Sequence, residues 1–376
     1  MTRNRLCRCL NCRRVALALA LALALSLSPS RAEPEEPVDL ESLPWTGERL
    51  LTSLSSHTVS PTIVADEYGL HVIFQELRTV GNATVSYMSS PDLGKTWTLR
   101  QVLSSAYSMG VGTSLLSARG VLHAVWCPTE RGINGLNYRR SRDGGRIWSN
   151  ERVLTETTRA IYMPKLNEDG ETLYLIWIEK LIVGSDLATR APTVQDLDIR
   201  TMTLKEDRTS GRTDESYDCT LNIMTSRDGG DSWTPKFVIT RVFENIVGYN
   251  FFAEGPSLIL NYQLGGGKYA RAFSRDRGLV WQQQEISEQE FGAFEPPSVV
   301  KYKGNYFRIG TKSIDNRAVI FLARTDFNPP EAVILNPSRE VFTDKVLLQW
   351  TGKDDWSEAG QMKYRYRFDG GPPSPW

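Results

Sequence analysis

From Ser60 onward the chain alternates apolar and polar residues in short runs broken at glycine. SPTIVADEYGLHVIFQE (Ser60–Glu76) reads as a strand, a turn at Gly69 and a second strand. GTSLLSARGVLHAVWCP repeats this with the turn at Gly120, MPKLNEDGETLYLIWIEK with the turn at Asp169-Gly170, and PSVVKYKGNYFRIGTK repeats it once more late in the chain. Period-two alternation with glycine turns predicts antiparallel strands. A third strand follows (ATVSYMSS, GLNYRRS, TLNIMTS, YARAFS), and then a fourth (WTLRQVLSS, WSNERVLTE, WTPKFVITR, WQQQEIS).

Between the third and fourth strands stands one octad, Ser-x-Asp-x-Gly-x-x-Trp. It occurs as SPDLGKTW, SRDGGRIW, SRDGGDSW and SRDRGLVW. Its aspartates, Asp92, Asp143, Asp228 and Asp276, are spaced by 51, 85 and 48 residues. A recurring unit of about fifty residues with four antiparallel strands is the signature of a propeller blade. The residue types predict a hairpin turn. Asp and Ser accept the turn's own amides, Gly takes the positive-φ position, and Trp97, Trp148, Trp233 and Trp281 anchor the hairpin by packing between sheets. None of these roles needs a substrate, so the aspartates are expected to be structural.

WTGERLLTS at Trp45 matches WSNERVLTE at Trp148, a fourth strand with no blade before it. The last unit, residues 296–327, has three strands and no octad. Pairing the two closes a ring and removes two open sheet edges. The expected fold is therefore all-β: a propeller over residues 42–328, closed by its N-terminal strand, with a polar insertion at 181–217. Five blades fit the length, and a sixth would have to lie within the insertion.

Composition narrows the function. Lys plus Arg and Asp plus Glu both number 44, a net charge of zero, which argues against nucleic acid as a partner. Three His are too few for a His-rich metal site, so no metal and no cofactor is expected. The start is basic and acid-free, MTRNRLCRCLNCRR, and is followed by the apolar run VALALALALALSLS and small residues at Ser30 and Ala32. This reads as a signal peptide over 1–32, with a linker over 33–41. The run is too short to span a bilayer easily, so the mature chain is expected to be secreted, periplasmic or on the cell surface. Three cysteines leave with the signal. Cys127 and Cys219 remain, and in an oxidising compartment they could pair.

The four octads resemble Asp boxes, or bacterial neuraminidase repeats, over residues 43–327. The chain is similar to the sialidase-like propeller superfamily. That resemblance implies a glycan or anionic small molecule as ligand, held by an exo-glycosidase-like enzyme or by a degenerate relative that binds sugar without cleaving it. The superfamily also includes proteins that bind protein partners, so a non-enzymatic interaction or sensor ectodomain is the alternative. The Arg-Ile-Pro motif of sialidases is absent here, and their arginine triad is not carried over.

In a propeller the ligand is expected at the end of the channel opposite the octads. Segments leading into the inner strands offer Tyr162, Tyr249, Glu254 and Glu295. Those after the second strands offer Glu76, Arg78, Glu130, Arg131, Glu179, Lys180, Asp315 and Arg317. Arginine forks match carboxylates, and paired carboxylates can divide acid and base roles. Tyr249 with Glu254 imitates the sialidase Tyr–Glu nucleophile pair. Glu254, Glu295 and Glu76 imitate the three carboxylates of five-bladed glycosidases.

After Pro329-Pro330 the rhythm changes. KVLLQWTGKD and QMKYRYRFDGGPPSPW read as alternating strands, and residues 329–376 resemble the opening part of an immunoglobulin-like or fibronectin type III-like sandwich.

Overall fold

A computed structural model describes residues 42–45, 48–53, 57–79, 82–105, 112–130, 133–183, 197–198, 203–204, 216–291, 298–315, 317–325, 331–335, 349–353, 365–366, 371–372 and 374. The expected signal peptide and linker lie outside these residues. Residues 44–376 form one compact unit. Among the described residues no helix is long and apolar enough to cross a membrane.

The first strand, β1 (Arg49–Leu50), belongs to the last sheet. Sheet one is β2 (His57–Asp66), β3 (Gly69–Thr79), β4 (Asn82–Ser90) and β5 (Gln101–Val102), paired in chain order. Sheet two is β6 (Thr113–Ala118), β7 (Val121–Trp126), β9 (Ile133–Ser141) and β10 (Arg152–Thr157), with the short β8 (Thr129–Glu130) hydrogen-bonded to β9. Sheet three is β11 (Ala160–Asp169), β12 (Thr172–Val183), β15 (Ser216–Ser226) and β16 (Phe237–Val242). Within its insertion β13 (Leu197–Asp198) pairs with β14 (Thr203–Leu204). Sheet four is β17 (Ile246–Glu254), β18 (Ser257–Leu264), β19 (Lys268–Ser274) and β20 (Gln282–Ile286), followed by the one-turn helix α1 (Glu288–Phe291). Sheet five is β21 (Val299–Tyr302), β22 (Asn305–Ile314), β23 (Arg317–Arg324) and then β1.

The expected closure is present: β1 runs antiparallel to β23 with Arg49 opposite Leu322, and Trp45 bridges Thr325. The insertion is shorter than expected. The β12–β15 ladder continues through Val183 opposite Ser216, so residues 181–183 and 216–217 are strand. Beyond sheet five, β24 (Glu331–Ile334) and β25 (Trp350–Lys353) pair antiparallel; most of the rest of the expected sandwich lies outside the described residues.

Each octad builds one turn from local bonds. The serine hydroxyl donates to the aspartate at 2.7 to 2.9 Å and accepts the glycine amide at 2.8 to 2.9 Å. Each aspartate also accepts the amide four residues on, for example Ile147 at 2.9 Å. These bonds to the charged form hold Asp92, Asp143, Asp228 and Asp276 below the usual carboxylate range. Trp97, Trp148 and Trp281 donate their indole N–H to the octad glycine carbonyl, whereas Trp233 packs edge-on against Tyr138 at 5.6 Å.

The octads also key one sheet to the next. Tyr87 in sheet one donates to the Gly144 carbonyl in sheet two at 3.1 Å. A Cβ on Gly145 would lie 1.9 Å from the Tyr87 hydroxyl, and one on Gly230 would lie 1.9 Å from that of Tyr138. His71 and His123 hold the two tyrosines from behind at 2.6 and 2.7 Å.

Apolar clusters fill four of the junctions between consecutive sheets. Phe74 and Leu322 join five to one, Ile73 and Trp126 one to two, Leu136 and Trp177 two to three, and Ile176 and Phe251 three to four. Among the described residues the junction of four with five holds no such cluster. Sheet four presents buried Asn250 and Asn261 there, and Arg271 and Asn261 both donate to the Glu290 carbonyl of α1. The two cysteines sit in different clusters, Cys127 between sheets two and three and Cys219 between three and four, and both are free thiols. The suggested pairing does not form.

Candidate functional site

The octads share one end of the sheets with the turns between first and second strands. Connections between second and third strands lie at the other end, with the segments leading into each inner strand. The structure redistributes the sequence candidates between these two ends.

Tyr249 is part of the core. It is 2 % exposed, and its hydroxyl lies 2.6 Å from the Met163 carbonyl and 2.8 Å from that of Ile176, where it donates its proton. Glu254 is exposed at the β17–β18 turn, opposite Ser257, at the octad end. The segment YNFFAE, expected to lead into an inner strand, is the inner strand itself. Tyr249 and Glu254 therefore form no pair at the open end. Glu295 and Arg131 lie outside the described residues, as do the side chains of Arg78 in β3 and Glu130 in β8. Asp315 and Arg317 are exposed at the β22–β23 turn, with Asp315 at φ 49°.

Glu76 and Glu179 do reach the open end, but each is closed by a base. Glu76, 5 % exposed, pairs with Arg100. Glu179, 2 % exposed, accepts Lys236 at 3.0 and 3.2 Å and the Trp177 indole at 3.0 Å. Sheet five repeats the device with reversed charge, Lys312 donating to Glu48 at 2.5 Å. All three pairs run from the end of a second strand to the start of a fourth, across the third. The carboxylates of Glu76 and Glu179 are thereby paired in place.

The richest constellation lies at the open end of sheet three, where the β12–β15 ladder carries the insertion. Asp218, 7 % exposed, receives Arg241 in a fork (2.8 Å from Nε to Oδ1, 2.7 Å from Nη2 to Oδ2). Arg159, which leads into β11, donates to the same Oδ2 and to the Asp218 carbonyl, the latter at 2.8 Å. These bonds bring the Asp218 pKa down to about 2 against the opposing effect of burial. The Arg241 guanidinium lies 5.3 Å from the ring of Phe243, which is 71 % exposed. On the other face of the sheet Lys180 donates to Asn245 at 2.8 Å and lies 4.9 Å from the Tyr162 ring. Asp218, Glu179, Arg159, Arg241, Lys180 and Lys236 leave this end of the sheet positive. A guanidinium fixed by a buried carboxylate is a preorganised anion receptor, and an exposed ring beside it offers a face for an apolar surface.

Of this group the sequence candidates included Glu179, Lys180 and Tyr162. Arg159, Asp218, Arg241 and Phe243 were not among them, because their convergence depends on pairing across the insertion. Arg159 does stand three residues before Tyr162, in the same leading segment. Among the described residues no group of His, Cys, Asp and Glu could hold a metal ion.

Among the described residues, consecutive antiparallel sheets of four strands, one with a short fifth and the last completed by the N-terminal strand, make the chain a β-propeller-like protein. No family model and no curated protein matches it. Among solved structures it is similar to Trypanosoma rangeli sialidase in complex with sialic acid (11 % identity, TM-score 0.48, covering 74 % of this chain and 59 % of that one). It is also similar to an α-L-arabinofuranosidase from Fusarium graminearum in complex with an iminosugar inhibitor (11 % identity, TM-score 0.46, 72 % and 93 %). A third is a GH43_1 enzyme from Xanthomonas citri complexed with xylotriose (10 % identity, TM-score 0.41, 73 % and 89 %). The chain spans just over half the length of the trypanosomal sialidase.

Proposed function

We propose that the chain is an exported, five-bladed Asp-box propeller of sialidase-like type that binds a carboxylate-bearing saccharide without hydrolysing it. The observation that carries this reading is the Arg159–Asp218–Arg241 group beside exposed Phe243, at the end of the sheets away from the octads. The arginines offer charge-assisted donors to a ligand carboxylate, and Phe243 offers a ring to the apolar face of a sugar. Hydrolysis would need an acid and a base, or a nucleophile, free at that end. Of the described candidates at that end, Glu76 and Glu179 are closed by Arg100 and Lys236, and Tyr249 is bonded into the core, which supports binding over turnover.

A glycan array spanning sialosides, uronides and neutral sugars tests the reading, together with fluorogenic sialosides and arabinosides. Carboxylated glycans are expected to be retained, at least about tenfold less by Arg241→Ala, with no fluorophore released. Release of fluorophore, or equal retention of neutral glycans, would contradict it.

The second reading, an ectodomain of a sensor or interaction protein, is favoured by the β24–β25 strand pair. Its Val333 and Trp350 are 47 % and 40 % exposed, surface that a further domain or a protein partner could cover.

A further inference from the structure

On sheet three, residues opposite one another across the β12–β15 ladder share a face, and neighbours along a strand alternate. Asp218 stands opposite Leu181 and Cys219 opposite Lys180, so Lys180 projects from the face opposite the arginine group. It is half-buried. Its Nζ donates to Asn245 Oδ1 at 2.8 Å and stands 4.9 Å from the centroid of the Tyr162 ring. Asn245 is itself fixed, since its carbonyl accepts the Gly265 amide at 2.8 Å.

Among the described residues the neighbouring carboxylates are already engaged. Asp218 is held by Arg159 and Arg241, Glu179 by Lys236, and Glu244 by Lys268 at 3.1 Å. Cys219, opposite Lys180 on the ladder, is fully buried, and burial pushes its thiol up. Among the described residues the partners of Lys180 are a neutral amide and a ring. A half-buried ammonium so placed is held at a desolvation cost that the free amine does not bear. Burial correspondingly lowers its pKa to about 8. The lone pair is thus available at neutral pH to a far greater extent than on an exposed lysine.

We propose that Lys180 is a nucleophilic amine that captures a carbonyl compound, such as the open-chain aldehyde of a reducing sugar, as an imine. The Nζ lone pair forms a bond to the carbonyl carbon. The carbonyl π pair moves to oxygen, which takes up a proton. Loss of that oxygen as water, with a proton leaving nitrogen, completes the C=N bond. The step consumes no oxidant or reductant. Asn245 Oδ1 holds one N–H and so orients the lone pair, and Tyr162 covers one side of the incoming carbon skeleton. The proposal does not depend on carboxylate binding at Arg159 and Arg241.

The test is reductive trapping of the full-length protein with glyceraldehyde and cyanoborohydride, followed by peptide mapping. At pH 7.5 Lys180 is expected to be alkylated roughly tenfold faster than exposed Lys268 and Lys303, its larger neutral fraction outweighing its lower basicity. Its rate should level off above about pH 8. Asn245→Asp adds a carboxylate partner and is expected to bring the rate down toward that of Lys303. Trapping at Lys180 no faster than at Lys303, or a rate still climbing beyond pH 10, would overturn the proposal.

Discussion

Within each octad the sequence and the structure say the same thing, because its bonds span four residues or fewer. Ser141, Asp143 and Gly145 satisfy one another inside one turn, so residue types alone reveal the geometry. What the second glycine of SRDGG is for could not be read that way. Its constraint comes from Tyr87, more than fifty residues earlier, whose hydroxyl fills the space a Cβ would need. Two substitutions separate this steric demand from the backbone one. Gly170 also has positive φ, 57°, but nothing lies within 4 Å of its missing Cβ. Gly170→Ala is expected to cost about 1 kcal/mol for the left-handed backbone alone. Gly145→Ala adds a clash with a buried tyrosine and should cost about 3 kcal/mol or more. Equal losses in denaturant unfolding would mean that the key between sheets one and two does not bear on stability.

At the scale of the element, strand order and the N-terminal closing strand were legible because period-two alternation and glycine turns repeat along the chain. The ion pairs were half legible. Glu76 and Glu179 were placed at the correct end, but their partners lie on the fourth strand, across an intervening strand whose register carries irregularities. A signal was present nonetheless: Arg100, Lys236 and Glu48 each stand three residues after Trp97, Trp233 and Trp45. The reversed pair Lys312–Glu48 marks the N-terminal strand as the true fourth strand of sheet five. The pairs should differ in weight. Glu179 is buried while Lys236 is about one-third exposed, so Glu179→Ala leaves a partly solvated charge and is expected to cost about 2 kcal/mol. Glu48 and Lys312 are both substantially exposed, and Glu48→Ala should cost less than about 1 kcal/mol. Chemical denaturation of the two variants checks the order; a larger loss for Glu48→Ala would contradict it.

At the scale of the whole molecule, the ring is unequal. Four junctions hold apolar clusters, and among the described residues the fourth-to-fifth holds none; on that side Asn261 and Arg271 of sheet four bond the carbonyl of Glu290 in α1. Apolar burial supplies most of the adhesion between sheets, so this junction should open before the β1–β23 closure does. Native-state hydrogen exchange is expected to show β20 and α1 losing protection together, at lower free energy than β12 in sheet three. Earlier loss at β1 and β23 would place the weak point at the closure instead. The same unevenness explains why the candidate site was the least legible part. Its residues come from the β10–β11 connection, from β15 and from β16, joined only when the ladder closes over the insertion. The most direct test of the account is calorimetric titration of N-acetylneuraminate into the wild-type protein and into Arg241→Ala. The account predicts saturable binding that weakens with added salt and falls at least about tenfold in the variant, with the thermal midpoint little changed. No binding by the wild type, or equal affinity in the two proteins, would contradict it.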